Sequence, residues 1–540
     1  MLLLYHVLLI WTAFAEFCFR FQRFRKLIAL IIILPTSLTA IARIARAQGL
    51  DSPGPEVVSM QQRLDQLEQS HQHMLRQLEG VQAENESLTS ELKALHSTLD
   101  QRAENQTRNY TRRELDQIQP SDIRTDEPLD DPRGLEINAN PFEKALLWSS
   151  DDDEWTLQIH NETQLDIRTY GQQGSDPVNQ FGFYIPRMRL IFNGFLTKPI
   201  EYNISINKGL GGLDLLDAYL NFNYDSRFQF RLGRYRVPFT YDWYALSNQF
   251  LASPERSVFA LNLGLNRNTA AMLHGEILHD HVDYALALAN GPRNSFYDTN
   301  SSKDFLGYLN VRPFHGNSNW PMLKHLNLGG SVDFGQQDQG AQPIAFRTSA
   351  SATASAGAEL AVPAFLTLNH NVTEKGTRSQ WEAHLAYYYK QLTIQAAIDG
   401  GSYDYGFNNA PGTVEVNAKA WHAQFGYFLT GEEITRRTFV EVLRPFDLRK
   451  GKRGPGAIEI QARYDYFKLD QSIFTGGLAD ATRWTNRVNT IDCGVNWHLN
   501  RYVRIAFDWQ RSIYGNPVQY APGRTQDHSD LYWIRFQNYF

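Results

Sequence analysis

The stretch Trp155–Arg168, WTLQIHNETQLDIR, alternates between apolar and polar residues along almost its whole length. Its first face holds Trp155, Leu157, Ile159, Thr163, Leu165 and Ile167. Its second face holds Gln158, His160, Glu162, Gln164, Asp166 and Arg168. Because successive side chains of a β-strand point to opposite faces, this period of two predicts a strand with one apolar and one wet face.

The same alternation recurs through the rest of the chain, and no helical period competes with it. Further clear examples lie at 202–207, 217–224, 227–232, 381–390 and 492–499. The last ten residues, LYWIRFQNYF, place Tyr532, Ile534, Phe536 and Phe540 on one face. A final strand with such an apolar face is typical of the closing strand of a barrel, so the pattern predicts an all-β fold.

Composition and aromatic placement favour a membrane barrel over a soluble sandwich. Aromatic residues make up 13% of the 540 residues, and they cluster at strand ends such as Tyr387–Tyr389, where amphipathic rings suit a membrane–water interface. The mean hydropathy of −0.42 is too polar for a helical membrane protein of this length. We therefore predict a transmembrane antiparallel β-barrel of about 16 strands over residues 151–540, each strand and its connection taking roughly 24 residues. The predicted loops include Gln336–Pro363 and Asn290–Lys303, and a long loop folded inward would narrow the pore.

Three other segments precede the predicted barrel. Residues 1–47 combine a basic stretch, a short apolar run and Ala45-Arg46-Ala47, the pattern of a signal peptide or leader. Residues 55–100 carry unbroken heptads from Val57 to Leu99, which predict an α-helical coiled-coil stalk that needs partner helices. The alternative is a lone helix packed on its own barrel. Residues 101–150 contain four prolines among charges and are predicted to be an extended linker.

Charge and motif content exclude several classes of function. The net charge of −6 argues against general nucleic-acid binding, which needs a basic footprint. His160, His384, His422 and His498 are scattered along strands, with no nucleophile motif beside them. We therefore predict no enzymatic activity, no cofactor and no metal site. Two alternatives to a channel are an outer-membrane hydrolase, which would need a nucleophile beside a base, and a soluble lectin-like β protein.

Several short motifs occur in a consistent order between about 180 and 540. They are LGRYRVPFTYDW at Leu232–Trp243, Glu255-Arg256-Ser257, Asn290-Gly291, FLTGE at Phe428–Glu432, the strand from Gly456 through Glu459 to Tyr464, and Arg535-Phe536-Gln537 with Phe540. Together they resemble the phosphate-selective porin O and P family. The resemblance implies an outer-membrane barrel that takes up phosphate or pyrophosphate. The coiled coil lies outside the resemblance, and no phosphate-gripping ladder of lysine or arginine can be matched residue by residue.

The predicted function is a passive, water-filled diffusion channel for small hydrophilic solutes. When the apolar face is placed toward lipid, seven arginines should point into the lumen and contact permeant anions: Arg187, Arg189, Arg227, Arg231, Arg463, Arg504 and Arg535. A planar guanidinium makes two-point contacts with phosphate oxygens and stays charged. The plainer interpretation is that inward arginines brace inward carboxylates, here Asp217, Glu459, Asp465, Asp492 and Asp508.

The predicted partners are outer-membrane lipid, other copies of the chain in a homo-oligomer, specifically a trimer, and small anions such as phosphate. The predicted location is the bacterial outer membrane, with the coiled coil in the periplasm. An alternative function is envelope tethering, in which the barrel only anchors the coiled coil.

Overall fold

A computed structural model describes most of the predicted barrel. The described residues are 146–171, 181–209, 213–316, 319–349, 364–408, 410–449, 451, 453–521 and 523–540. The predicted leader, coiled coil and nearly all of the linker lie outside these residues. No helix in the described part of the chain is long and apolar enough to cross a membrane.

Strands account for most of the described chain. They begin with β1 (Leu147–Ser149), β2 (Thr156–Tyr170), β3 (Phe181–Thr197), β4 (Ile200–Lys208), β5 (Leu213–Asp225), β6 (Phe228–Arg236), β7 (Arg267–Ile277), β8 (Val282–Ala289), β9 (Asp304–Val311) and β10 (His325–Gly340). They continue with β11 (Ala345–Arg347), β12 (Ala364–Thr367), β13 (Val372–Tyr389), β14 (Leu392–Phe407), β15 (Ala410–Phe428), β16 (Ala457–Leu469), β17 (Arg487–His498), β18 (Val503–Ala521) and β19 (Arg524–Tyr539). Short α-helices span Tyr241–Tyr244, Val258–Leu263 and Ser472–Thr475, and 3₁₀ turns span Asn248–Phe250 and Pro321–Leu323.

Within the described residues, sixteen strands form one closed antiparallel ring, which confirms the predicted barrel. Each strand from β2 to β10 pairs with the next, β10 pairs with β13, and the series continues to β19, which pairs back with β2. Short strand β1 adds three residue pairs to β2, so the end of the predicted linker is ordered against the wall. Strands β11 and β12 form a separate two-stranded sheet.

The two faces of the wall differ as the alternation predicts. In β19 the outward Tyr532 and Phe536 are 48% and 41% exposed, whereas Arg535 between them is fully buried on the lumen side. The same contrast separates outward Phe507 from inward Arg504 in β18. An apolar outside around a polar inside is the arrangement of a membrane barrel and the reverse of a soluble sandwich.

Two long connections that the sequence did not single out enter or cover the described part of the barrel. The first, here called the lumen loop, comprises residues 237–266 between β6 and β7. The second, here called the end loop, comprises residues 429–456 between β15 and β16, at the end of the barrel where Phe540 lies. Of the predicted loops, 290–303 does connect β8 to β9, but the other begins only after β10 ends at Gly340.

The lumen loop has an apolar seat on one side of the barrel. Strand β8 turns the small side chains of Ala285, Ala287 and Ala289 inward, and all three are buried. Phe239 and Phe259 of the loop are each 1% exposed and belong to the same apolar cluster. Small wall residues leave room for the loop's helices, and burying the rings gives the loop a core of its own.

The same apolar cluster extends to the barrel end opposite Phe540. The rings of Phe346 on β11, Phe365 on β12 and Phe467 on β16 lie 5.9–6.3 Å apart and are fully buried. Asn262 of the lumen loop donates a hydrogen bond to the Arg347 carbonyl at 2.8 Å. The connections at that end are therefore joined to the loop inside the barrel.

The orientation of the wall side chains predicts that a charge destabilises the barrel to different extents at two neighbouring residues of β4. Ile204 is 44% exposed on the outer face, whereas Asn203 faces the lumen. Ile204→Arg should destabilise the folded barrel by about 2–4 kcal/mol, because it places a charge against lipid. The matched variant Asn203→Arg should lower the free energy of unfolding much less, because its charge faces the lumen. Urea unfolding in lipid vesicles measures both, and equal losses would contradict the assigned orientation.

Candidate pore site

The lumen loop is fixed to the wall opposite its apolar seat by a buried carboxylate. Glu255 accepts hydrogen bonds from Arg187 on β3 at 2.8 and 2.5 Å, and from Arg535 on β19 at 2.8 Å. Arg535 also pairs with Asp166 of β2 at 2.7 Å. The two arginines therefore link a loop residue to three strands on both sides of the barrel seam.

The backbone of the loop is held in the same way. Arg535 donates to the Pro254 carbonyl at 2.5 Å, Arg463 to the Glu255 carbonyl at 2.6 Å, and Arg504 to the Leu251 carbonyl at 2.6 Å. Hydrogen bonds with a charged donor are roughly twice as strong as neutral ones. Four of the seven predicted anion contacts, Arg187 among them, thus donate to the lumen loop.

Across the lumen, the start of the loop contacts β10 and β13. The Thr240 amide donates to the Ser331 hydroxyl at 3.0 Å, and the Tyr241 amide donates to the Glu382 carboxylate at 2.7 Å. The Tyr241 and Tyr388 hydroxyls lie 3.1 Å apart. The loop therefore crosses the barrel and divides its interior.

The ionic state of Glu255, which lies in the loop and outside the wall strands, follows from these contacts. Burial raises the pKa of its carboxyl, but the Arg187 and Arg535 guanidiniums outweigh burial and hold the pKa well below its ordinary value. Glu255 is therefore a carboxylate at neutral pH. Its contribution to stability is present above the ordinary pKa of a glutamate and is lost only as the pH falls through the depressed value.

An arginine-rich cavity lies between the lumen loop, the end loop and the wall strands β2–β7. It encloses about 150 Å³. Its arginines are Arg189, Arg231, Arg236, Arg267, Arg436 and Arg437. Its acidic side chains are Glu162 and Asp217, and Glu459 beside the lining pairs with Arg437, so the cavity arginines outnumber these carboxylates by three.

The cavity arginines differ in how far they are neutralised. Arg189 pairs with Glu162 at 2.8 Å, and Arg267 pairs with Asp217 at 3.0 Å. Arg231 has no carboxylate partner among the described residues: its guanidinium lies 4.3 Å from the Tyr219 ring and its Nε 3.4 Å from the Asn221 amide oxygen. This arginine keeps its full charge toward the cavity.

Arg236 is the second cavity arginine without a carboxylate partner in the described chain. It donates to the Trp243 and Leu246 carbonyls at 3.2 and 2.8 Å and to the Ser247 hydroxyl at 3.2 Å. It therefore shapes the lumen loop and adds positive charge to the cavity at the same time.

The end loop closes part of the cavity from the Phe540 side. Arg437 pairs with Glu459 of β16 at 2.6 Å, which anchors the loop to the wall. The Phe439 ring stacks on Tyr539 at 5.3 Å and meets Phe250 of the lumen loop edge-on at 5.2 Å. The two inward connections thus touch each other through aromatic rings.

Carboxylates collect elsewhere in the lumen. Arg378 on β13 pairs with Asp304, Asp333 and Glu374, so that region has three acids around one arginine. Asp242 of the lumen loop lies 4.0 Å from His422, near Glu382 of β13. The lumen around Arg378 is therefore more acidic than the cavity.

The structure places the predicted residues in three groups. Arg189 and Arg231 line the cavity, and Arg187, Arg463, Arg504 and Arg535 hold the lumen loop. Arg227 lies in the turn between β5 and β6, pairs with Asp225 at 2.7 Å, and its side chain is 65% exposed. Contact of the cavity-lining and loop-holding arginines with a permeant anion stays a prediction, whereas Arg227 lies in an exposed turn outside the cavity.

Sequence reasoning missed four cavity arginines: Arg236, Arg267, Arg436 and Arg437. Strand parity would have placed Arg267 in the lumen at the start of β7. The other three lie at a strand end or in the end loop, where alternation gives no direction.

A closed barrel with an apolar outer face, a charged lumen and a loop folded inside it is the architecture of a membrane channel. The model of the family described as phosphate-selective porin O and P matches residues 157–540, and the chain belongs to this family. The family match and the geometry together make the protein an outer-membrane channel.

Solved porin structures are similar to this chain only at a low level. The Salmonella typhi OmpF complex with daunomycin has a TM-score of 0.43 and 9% identity, covering 73% of this chain and 100% of that one. The anion-selective porin from Comamonas acidovorans has a TM-score of 0.41 and 10% identity, covering 72% of this chain and 100% of that one. Outer-membrane expressed OmpT of Vibrio cholerae has a TM-score of 0.41 and 11% identity, covering 73% of this chain and 100% of that one. At these scores the likeness carries no argument about solutes. No curated protein sequence matches the chain.

The ion pairs of Glu255 with Arg187 and Arg535, here called the Glu255 clamp, generate a prediction about the position of the lumen loop. Glu255→Gln leaves Arg187 and Arg535 without their shared carboxylate, and removing one partner of a buried ion pair costs about 3–5 kcal/mol. We expect a loosened lumen loop, higher and noisier single-channel conductance, and lower thermal stability. The control is Glu433→Gln, which neutralises an exposed carboxylate of the end loop. Unchanged conductance in the Glu255 variant would show that this clamp does not position the loop.

Proposed function

We propose that this outer-membrane channel prefers anions and that the arginine-lined cavity is its selective region. The observation that carries the proposal is the excess of arginine over carboxylate around the cavity, with Arg231 facing it unpaired by any described carboxylate. Low-dielectric walls of one sign concentrate ions of the opposite sign. Several weak sites, each short of tight binding, allow an ion to enter and leave.

Phosphate is the first solute to test within this proposal. The family description names phosphate, and a guanidinium can contact two phosphate oxygens at once. Arg189 and Arg267 already hold carboxylates in the cavity, so an entering phosphate would compete for groups suited to an oxyanion. Added phosphate should then reduce the chloride current by occupying the cavity.

The test of anion preference is Arg231→Gln in planar bilayers. Reversal potentials in a KCl gradient should have anion sign for the unchanged protein. The variant should lower the chloride-to-potassium permeability ratio roughly two- to fivefold, because it removes one charge a few ångströms from the ion path. Chloride block by added phosphate should weaken as well.

Arg227→Gln is the matched control, since it removes an arginine that is exposed and paired with Asp225 outside the cavity. It should leave the permeability ratio unchanged. A reversal potential of cation sign in the unchanged protein would reject anion preference, while the channel itself would stand.

The proposal includes assembly into a homo-oligomer, with a trimer as the expected form. Support comes from a polar patch on the outer wall near Phe540. Thr163 donates to Asn161 at 3.0 Å, and Asn538 donates to Asn161 at 3.1 Å. Polar groups on an outward face that is otherwise apolar suit contact with a second copy better than contact with lipid chains.

The proposal also keeps a periplasmic coiled coil at residues 55–100 as an oligomerising stalk. A chain lacking residues 55–100 should retain single-channel conductance and ion selectivity, because the cavity is built entirely from later residues. Its trimer should dissociate at a lower temperature on native gels. Envelope tethering would be the better assignment if the full chain forms no channel in bilayers while the truncation weakens the cell envelope.

A further inference from the structure

The second half of the end loop lies on the rim of the outer wall. The Phe446 ring meets the Trp497 ring of β17 edge-on at 4.9 Å, and the Phe446 amide donates to the Leu499 carbonyl at 2.6 Å. Trp497 donates to the Pro455 carbonyl at 2.8 Å. Trp497 shares its face with Val495, which is 38% exposed on the lipid side, whereas Asn496 between them is buried toward the lumen. The described residues of this segment, 443–449, 451 and 453–455, are here called the rim hairpin and are thus seated on the lipid-facing surface.

The hairpin has a defined backbone. Asp447 and Gly454 form an antiparallel bridge, and the Gly456 amide donates to the Arg444 carbonyl at 3.0 Å. Gly456 has φ of 76°, and a Cβ there would lie 2.6 Å from the His498 carbonyl oxygen. Glycine is therefore required where the hairpin rejoins the wall.

The exposed side chains of the hairpin are apolar or basic. Leu443 and Leu448 are 64% and 76% exposed. Arg444 and Arg453 are exposed, and neither has an ion-pair partner among the described residues, whereas Arg449 pairs with Asp447 at 2.6 Å. The exposed leucines are poorly suited to bulk water, and the arginines beside them carry positive charge that no described carboxylate balances.

We infer that the rim hairpin binds anionic phospholipid in the leaflet at the Phe540 end. Trp497 places the hairpin at the height of a strand end on the lipid side, where aromatic rings mark the membrane interface. There the leucines can enter the acyl region while Arg444 and Arg453 contact headgroup phosphates. Free phosphate would satisfy the arginines alone and would leave Leu443 and Leu448 in water.

The lengths of the turns show which membrane leaflet the rim hairpin meets. Most turns at the Phe540 end are short, such as the two-residue turns 198–199, 226–227 and 390–391. In outer-membrane barrels the short turns face the periplasm. The partner is therefore a phospholipid with a net negative headgroup in the periplasmic leaflet.

The test uses the full chain purified in detergent and supplied with phosphatidylglycerol or phosphatidylcholine of identical acyl chains. Native mass spectrometry then measures the lipid that each barrel retains. The unchanged protein should retain phosphatidylglycerol preferentially. The double variant Arg444→Gln with Arg453→Gln should bind phosphatidylglycerol roughly thirtyfold more weakly, with binding of phosphatidylcholine unchanged, since each basic residue near a charged membrane surface contributes about 1 kcal/mol.

Two further variants separate charge from apolar contact. Arg227→Gln, an exposed arginine at the same end paired with Asp225, should change neither lipid. Leu448→Asn should weaken both lipids to a similar degree, because it removes insertion into acyl chains and leaves the charge intact. Both outcomes support a site in which the arginines determine the preference for an anionic headgroup.

Equal retention of the two lipids by the unchanged protein would overturn the inference, as would a double variant that keeps its phosphatidylglycerol. A third outcome would overturn it in favour of another occupant. If phosphatidylglycerol binds only after Asp126, Glu127, Asp130 and Asp131 are replaced by their amides, the acidic stretch of the chain's own linker occupies the hairpin.

Discussion

The hydrogen-bond ladder between β19 and β2 is the contact on which the rest of the structure depends. It runs from Leu531 opposite Tyr170 to Tyr539 opposite Glu162, and Phe540 exchanges both backbone hydrogen bonds with Asn161 at 3.0 and 3.1 Å. Lipid offers no hydrogen bonds, so a spanning sheet is stable only when it has no open edge. Closing this seam satisfies the last edge and turns one face of every strand into the wall of a separate, polar interior.

A ring of sixteen strands leaves more interior than wall side chains fill, and the lumen loop occupies part of it. The loop is held by two different kinds of force on its two sides. Alanines of β8 give it an apolar seat, while arginines of β3, β16, β18 and β19 donate to its carbonyls and to Glu255. Because Arg535 also pairs with Asp166 on β2, the seam of the barrel and the position of the loop are stabilised by one network.

Period-two alternation was enough to predict the strands and the direction of most wall side chains, because each strand is a local pattern in which one face meets lipid and the other the lumen. The barrel was favoured over a sandwich by the aromatic placement and the final strand, and the number of strands came from the length of the segment. The alternation could not identify which connection folds inward. Phe239 and Phe259 of the lumen loop read as ordinary apolar residues, and their significance depends on Ala285 and Ala287, which are distant in sequence and contact them only after the ring closes. The same limit applies to the arginines. Parity gave Arg463 and Arg504 the correct side of the wall, and Arg463 does pair with Asp465 and Asp492, but only the folded loop shows that each of the two arginines also donates to a loop carbonyl.

Net charge is a poor guide to what such a channel admits. The chain carries 52 basic and 58 acidic residues, a balance that taken alone would favour cations. Charges separated by more than roughly 8 Å in water are largely screened at physiological salt, so an ion responds to the side chains beside it. The carboxylates around Arg378 lie apart from the cavity that Arg231 and Arg236 face. The proposed anion preference places the ion path on the basic side of the lumen loop, and the contacts of Glu255 with Arg187 and Arg535 fix the loop that separates this side from the carboxylates around Arg378.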